Sequence, residues 1–179
     1  MKRTRLRFES IQHVAGNEEL AVLLLTDEQR SRVLSVVCDP LSTRQIVMRL
    51  RNGEKCKNML PEALVQLLDG QYEMMVYGLH DGQYQVVLSD TEFQHNVRIR
   101  LSDAVLLSIV SSFPVYIENT LFLQQSIPFD AEQRNVAIPI NTMDIERLNI
   151  ILQNAIDEEN YELASKVRDE IKRRTPKAE

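Results

Sequence analysis

Val97-Arg98-Ile99-Arg100-Leu101-Ser102-Asp103-Ala104-Val105-Leu106-Leu107 changes period halfway along. Its first half alternates apolar and charged residues, as a half-buried strand does, and its second half is apolar at nearly every position, as a buried helix is. The change sets a guanidinium, a hydroxyl and a carboxylate (Arg100, Ser102 and Asp103) at one strand-to-helix junction. Ser102 suits the N-cap, since its hydroxyl accepts from a free first-turn amide, and Asp103 suits the positive end of the helix dipole. The same groups suit an anion site, with Arg100 gripping phosphate oxygens and Asp103 holding a divalent metal or orienting a water.

Upstream of this junction the pattern is mostly strand. Arg3, Arg5 and Arg7 alternate with Thr4, Leu6 and Phe8, which reads as one basic face of an edge strand and a candidate for phosphate-backbone contact. Leu20–Leu25 is a nearly continuous apolar run suited to a central strand, and Arg32–Cys38 puts Leu34, Val36 and Cys38 on one face, with Asp27-Glu28-Gln29-Arg30 turning between them. After Pro40, Ile46, Val47 and Leu50 recur at helical spacing up to a closing Asn52-Gly53. Leu60, Leu64, Leu67 and Leu68 make a second apolar stripe, with Pro61 in its first turn. Tyr72–Leu79 and Gln83–Leu88 flank His80-Asp81-Gly82 as a hairpin.

Downstream, Val115–Ile117 reads as a short strand and Thr120–Gln125 as a helix, and the segment between Pro128 and Asn141 is irregular. Helices interrupt the strands without a βαβ rhythm, so the expected class is α+β, with mixed or antiparallel sheets followed by a C-terminal α-helical hairpin. In that hairpin Ile145, Leu148, Leu152 and Ala155 line one helix and Ala164, Val167 and Ile171 the other.

The 179 residues suit one ordinary domain with a small appendage, and the net charge of −5 argues against a surface that is all nucleic-acid field while leaving room for a basic patch. Basic Met1–Arg7 is followed by no apolar run of signal-peptide length, and no segment approaches a membrane span. Cys38 and Cys56 lack any CxxC-type neighbour, which disfavours a zinc site or disulfide scaffold and makes a reducing cytoplasm the expected location. His13, His80 and His95 read as solvated or locally bonded side chains rather than ligands.

Arg100-Leu101-Ser102-Asp103-Ala104, with Phe113-Pro114-Val115-Tyr116-Ile117 after it, resembles the bifunctional nuclease (BFN) domain family, and the likeness extends from about Glu19 to Phe129. The resemblance implies an oligomeric α+β nuclease hydrolysing RNA and DNA. Within it Asp103 and Glu62 are the catalytic acids, and Arg100, Ser102 and Lys57 are the substrate contacts; a divalent metal is a possible cofactor of no assigned site. The chain departs from the family upstream. Asp39 and Ser42 stand where members carry a glycine and a glutamate, Lys57-Asn58 replaces an Arg-Pro pair, Leu60-Pro61-Glu62 replaces Thr-His-Asp, and Arg98 replaces an acid. The lost histidine is the ready general acid or base for phosphodiester cleavage.

Ala155–Ile171 resembles the UVR motif, a helical hairpin that mediates protein-protein contact, with Tyr161, Glu162, Ala164, Arg168 and Asp169 on its characteristic positions. A plain amphipathic hairpin capping its own domain is the competing reading. The expected organisation is a BFN-like domain over 1–130, a linker over 131–142 and a UVR-like hairpin over 143–179. Two functions follow: a nuclease, or a binding or adaptor protein that kept the fold, lost the catalytic set and acts through its tail.

Overall fold

A computed structural model of the chain describes residues 2–14, 17–68, 70–92, 95–130, 140, 143 and 145–174. The side chain of His13 and most of the expected linker lie outside the described residues. The chain forms two compact units, Met1–Gly78 with Tyr84–Ile138, and Leu79–Gln83 with Pro139–Glu179.

The larger unit is built on one mixed sheet of β1 (Arg3–Val14), β2 (Asn17–Asp27), β3 (Arg32–Cys38), β4 (Tyr72–His80), β5 (Gln83–Asp90), β6 (Asn96–Ile99), β7 (Val115–Glu118) and β8 (Ile127–Pro128). The spatial order is β6-β5-β4-β7-β1-β2-β3-β8, with β4 and β7 parallel and β1 antiparallel to both β2 and β7. Its helices are α1 (Pro40–Asn52), α2 (Leu60–Leu67), α3 (Leu101–Val110) and α4 (Asn119–Gln125), with a 3-10 turn at Gly53–Cys56. Leu23 pairs with Val36 and Leu25 with Leu34, and these residues are buried together with Ile46 of α1 and Val105 of α3. The alternate residues Val22, Leu24 and Val33 point to the other face and pack with Phe129. Burial on both faces is why the β2 sequence is apolar without alternation.

Asp27 closes the β2–β3 turn. Its carboxylate accepts the Ser31 and Arg32 amides at 2.8 Å and the Ser31 hydroxyl at 2.5 Å, while Arg30 takes the left-handed conformation at φ 53°. Burial pushes the carboxyl up, but the Ser31 hydroxyl and the two amides outweigh it and hold Asp27 below its ordinary value. The unfolded chain therefore binds more protons, so this stabilisation is present at neutral pH and is lost as pH falls through the folded value. Asp27→Ala is expected to cost about 1–3 kcal/mol at pH 7, and the gap to wild type narrows below about pH 4, as read by urea denaturation across that range.

The edge-strand expectation needs correction. Arg3, Arg5 and Arg7 share a face, but β1 lies inside the strand order, between β7 and β2: β7 pairs with Arg3–Leu6 and β2 with Leu6 onward, so the two neighbours overlap only at Leu6. Period-two alternation identifies a strand without naming its neighbours. The arginines are also engaged: Arg3 contacts Glu73 at 2.6 Å and lies 3.9 Å over the Tyr116 ring, and Arg5 and Arg7 approach Glu28 at 3.6 and 3.8 Å. α1 does close at Asn52-Gly53, with Gly53 right-handed at φ −61° as the chain continues into the 3-10 turn. The apolar stripe expected at Leu60, Leu64 and Leu67 forms on α2 and faces outward, and no residue of that helix is buried.

The smaller unit contains α5 (Ile145–Asp157) and α6 (Tyr161–Arg174), a hairpin-like pair closed by Leu148, Ala155, Ala164 and Val167. Ile145, expected on the inner face, is exposed. The Arg174 guanidinium donates to the Met143 and Ile140 carbonyls and to Glu170, fastening Ile140 and Met143 to α6. The turn between β4 and β5 belongs to the same unit. Asp81 and Gly82 take φ 47° and 77°, and a Cβ at Gly82 would lie 2.6 Å from the Met143 carbonyl oxygen, a backbone atom. Gly82→Ala is thus expected to cost at least about 1–2 kcal/mol, the left-handed penalty before any clash, with faster amide exchange across 145–174.

Candidate functional site

Two helix starts meet where α1 packs on α3. Leaving β3, Asp39 adopts extended backbone at φ −69°, ψ 157°, and caps α1. Its Oδ1 accepts from the Ser42 amide at 2.9 Å and its Oδ2 from the Ser42 hydroxyl at 2.7 Å. Pro40 fills the first helical position, where no amide donor is needed.

Leaving β6, Arg100 is the last extended residue, and α3 begins at Leu101. Ser102 is therefore inside the first turn and not at the N-cap. The helix starts early because Leu101, Ala104 and Val105 fall on one stripe and are all buried. Arg100 caps α3 without a side-chain bond to its amides. The buried Ser102 hydroxyl instead lies 3.4 Å from that of Ser42.

Arg100 joins the two starts. Its Nε and one terminal nitrogen donate to Asp103 at 2.8 and 2.9 Å, and the other terminal nitrogen reaches Asp39 Oδ2 at 3.4 Å. The bidentate bond to Asp103 raises the Arg100 guanidinium above its already high value. At Asp39 burial pushes the carboxyl up, but the Ser42 hydroxyl and amide and the Arg100 charge outweigh it and hold the group below its usual range. All three side chains keep partial access to solvent. Next to them, burial pushes the Cys38 thiol up to about 11, so it stays protonated at neutral pH and is no nucleophile.

The donor set does not fit a resident divalent metal. Such an ion wants several hard oxygens, whereas both carboxylates here turn to one guanidinium. Among the described residues no group of three His, Cys, Asp or Glu side chains is placed to hold a metal ion.

The other expected site residues bond elsewhere. Glu62 meets Arg49 in a two-pronged pair at 2.6 and 2.7 Å, and the Arg49 side chain is only 3 % exposed. Lys57 pairs with Glu54 at the surface. In the hairpin, Ala164 is buried in its own unit, Glu162 pairs with Lys166 at 2.7 Å and Arg168 with Asp169 at 3.4 Å, while Tyr161 is open to solvent. Sequence reasoning gave Asp39 and Ser42 no role. The available cue was Asp-Pro-x-Ser ahead of a helix, a capping pattern that marks a helix start without saying what faces it.

Comparison with protein-family models matches residues 22–130 to the bifunctional nuclease domain and residues 145–173 to the UvrB/uvrC motif. No curated protein matches the chain. The nuclease-domain match spans more than half of the sequence and includes both helix starts, so the chain belongs to the bifunctional nuclease domain family and carries a UvrB/uvrC motif near its C-terminal end.

Proposed function

We propose that the protein is a nuclease that hydrolyses RNA and DNA phosphodiester bonds at the Arg100–Asp103 junction. The observation that carries this reading is one guanidinium shared by carboxylates from two helix starts, inside the matched domain. A phosphate offers Arg100 the same bidentate geometry that Asp103 does. When Arg100 turns to the phosphate, the first-turn amides of α3, which no side chain caps, add further donors. Asp103, released, accepts a proton from water as that oxygen bonds to phosphorus; the bond to the leaving oxygen breaks, and that oxygen takes a proton from solvent. Ser102 holds the Ser42 side of the junction in place. Asp39 is a better second carboxylate than Glu62, whose oxygens Arg49 holds. Lys57, paired only at the surface, is free to swing onto a distal phosphate.

A second reading has an observation of its own. Arg100, Asp103 and Asp39 already satisfy one another, as a degenerate site would, and the UvrB/uvrC motif leaves Tyr161, Glu162, Arg168 and Asp169 exposed for a protein partner. The assay that separates the two is cleavage of single-stranded and duplex RNA and DNA by wild type and Asp103→Ala, with added Mg²⁺ or Mn²⁺ and with chelator. Cleavage that the variant loses supports the nuclease; none from clean wild type leaves the adaptor. Two buried free thiols, with no described helix long and apolar enough to cross a membrane, support a cytoplasmic location.

A further inference from the structure

Helix α2 turns its apolar side outward. Leu60 and Leu67 are each 81 % exposed and Leu64 39 %, and their i, i+4, i+7 spacing makes them one continuous stripe. A stripe of this kind marks a docking face more often than a free surface. Its surroundings carry positive charge. Arg51 and Lys55 are exposed just ahead of it and enter no ion pair among the described residues, and the Arg49–Glu62 pair ties the end of α1 to the start of α2.

The complement lies on the same chain. The turn between α5 and α6 exposes Ile156 and Tyr161 among Asp157, Glu158, Glu159 and Glu162, and no cation among the described residues pairs with Glu158 or Glu159. One exposed patch is apolar and basic, the other apolar and acidic. Both are present in every copy at equal concentration.

We propose that a second copy of this chain covers α2. Its hairpin turn lays Ile156 and Tyr161 on the Leu60–Leu64–Leu67 stripe and sets Glu158 and Glu159 against Arg51 and Lys55. The exchange is reciprocal, each copy's hairpin seated on the other's α2, which closes a two-fold dimer and leaves no open end for further growth. Exposed opposite charges give the contact a salt dependence. The inference stands whether or not the junction cleaves phosphodiesters.

Sedimentation of the full chain over a dilution series, at low and high salt, tests it. Wild type dimerises, more weakly at high salt. Arg51→Glu with Lys55→Glu, or Glu158→Lys with Glu159→Lys, each weakens the dimer by about 10- to 100-fold. All four positions are exposed, so both variants keep the melting temperature that wild type shows at dilutions where it is monomeric. Mixing the two variants restores a dimer, because both contacts of the mixed pair then carry opposite charges. A wild type that stays monomeric, whether its own hairpin or a foreign acidic helix covers α2, overturns the proposal. So does a dimer that neither reversal weakens, or a mixture that stays monomeric.

Discussion

Glu62→Ala is expected to destabilise the protein by about 3 kcal/mol while leaving the activity of each folded molecule unchanged. Arg49 is almost fully enclosed, and Glu62 satisfies two of its nitrogens while Gln45 takes a third. Removing the carboxylate leaves a buried guanidinium short of its counter-charge, which costs far more than an exposed ion pair is worth. The loss should fall on the attachment of α2 to α1, the two elements that the pair joins. Replacing both partners, Arg49→Met with Glu62→Leu, removes the orphaned charge along with the pair, so the double variant should recover most of the stability. Urea denaturation of the two single variants and the double variant measures this coupling directly. A Glu62→Ala protein as stable as wild type would mean that the pair contributes nothing to the fold.

Asp103→Asn is expected to do the reverse, slowing phosphodiester cleavage by about 10²- to 10⁴-fold, the range associated with a lost general base. Its effect on stability should stay within about 1 kcal/mol, because a first-turn carboxylate at a partly exposed helix start interacts only modestly with the dipole. Asparagine keeps the volume and one acceptor for Arg100 but cannot take a proton from water. Arg100→Lys separates the phosphate role from the carboxylate role. A lysine retains the charge and loses the fork, so it should weaken substrate binding while Asp103 remains in place.

The junction was legible in sequence because both of its signals are local. A switch from period two to an apolar helix marks where Arg100, Ser102 and Asp103 must sit, within two residues of the true helix start. What joins that start to Asp39 was not legible, because the packing of α1 on α3 brings together residues 61 positions apart and leaves no periodic trace. Glu62 shows the same limit. Its residue type is that of a catalytic acid, and nothing in its neighbourhood says that an arginine one helix earlier holds both oxygens. For Arg3, Arg5 and Arg7 the alternation gave the face correctly and the sheet position wrongly, since strand order depends on distant pairings with β2 and β7. The leucines of α2 form the stripe their spacing predicts, but spacing cannot say whether the cover comes from the same core or from another molecule. The hairpin turn needed no such long-range knowledge: Asp81-Gly82 demands left-handed backbone, and both residues adopt it.

The most direct test compares Asp103→Asn and Glu62→Ala with wild type in one nuclease assay on single-stranded RNA, each rate normalised to the folded fraction measured in the same buffer. The proposed site predicts that Asp103→Asn loses at least about 100-fold and Glu62→Ala keeps the wild-type rate. Equal rates for wild type and Asp103→Asn, or a loss confined to Glu62→Ala, would contradict it.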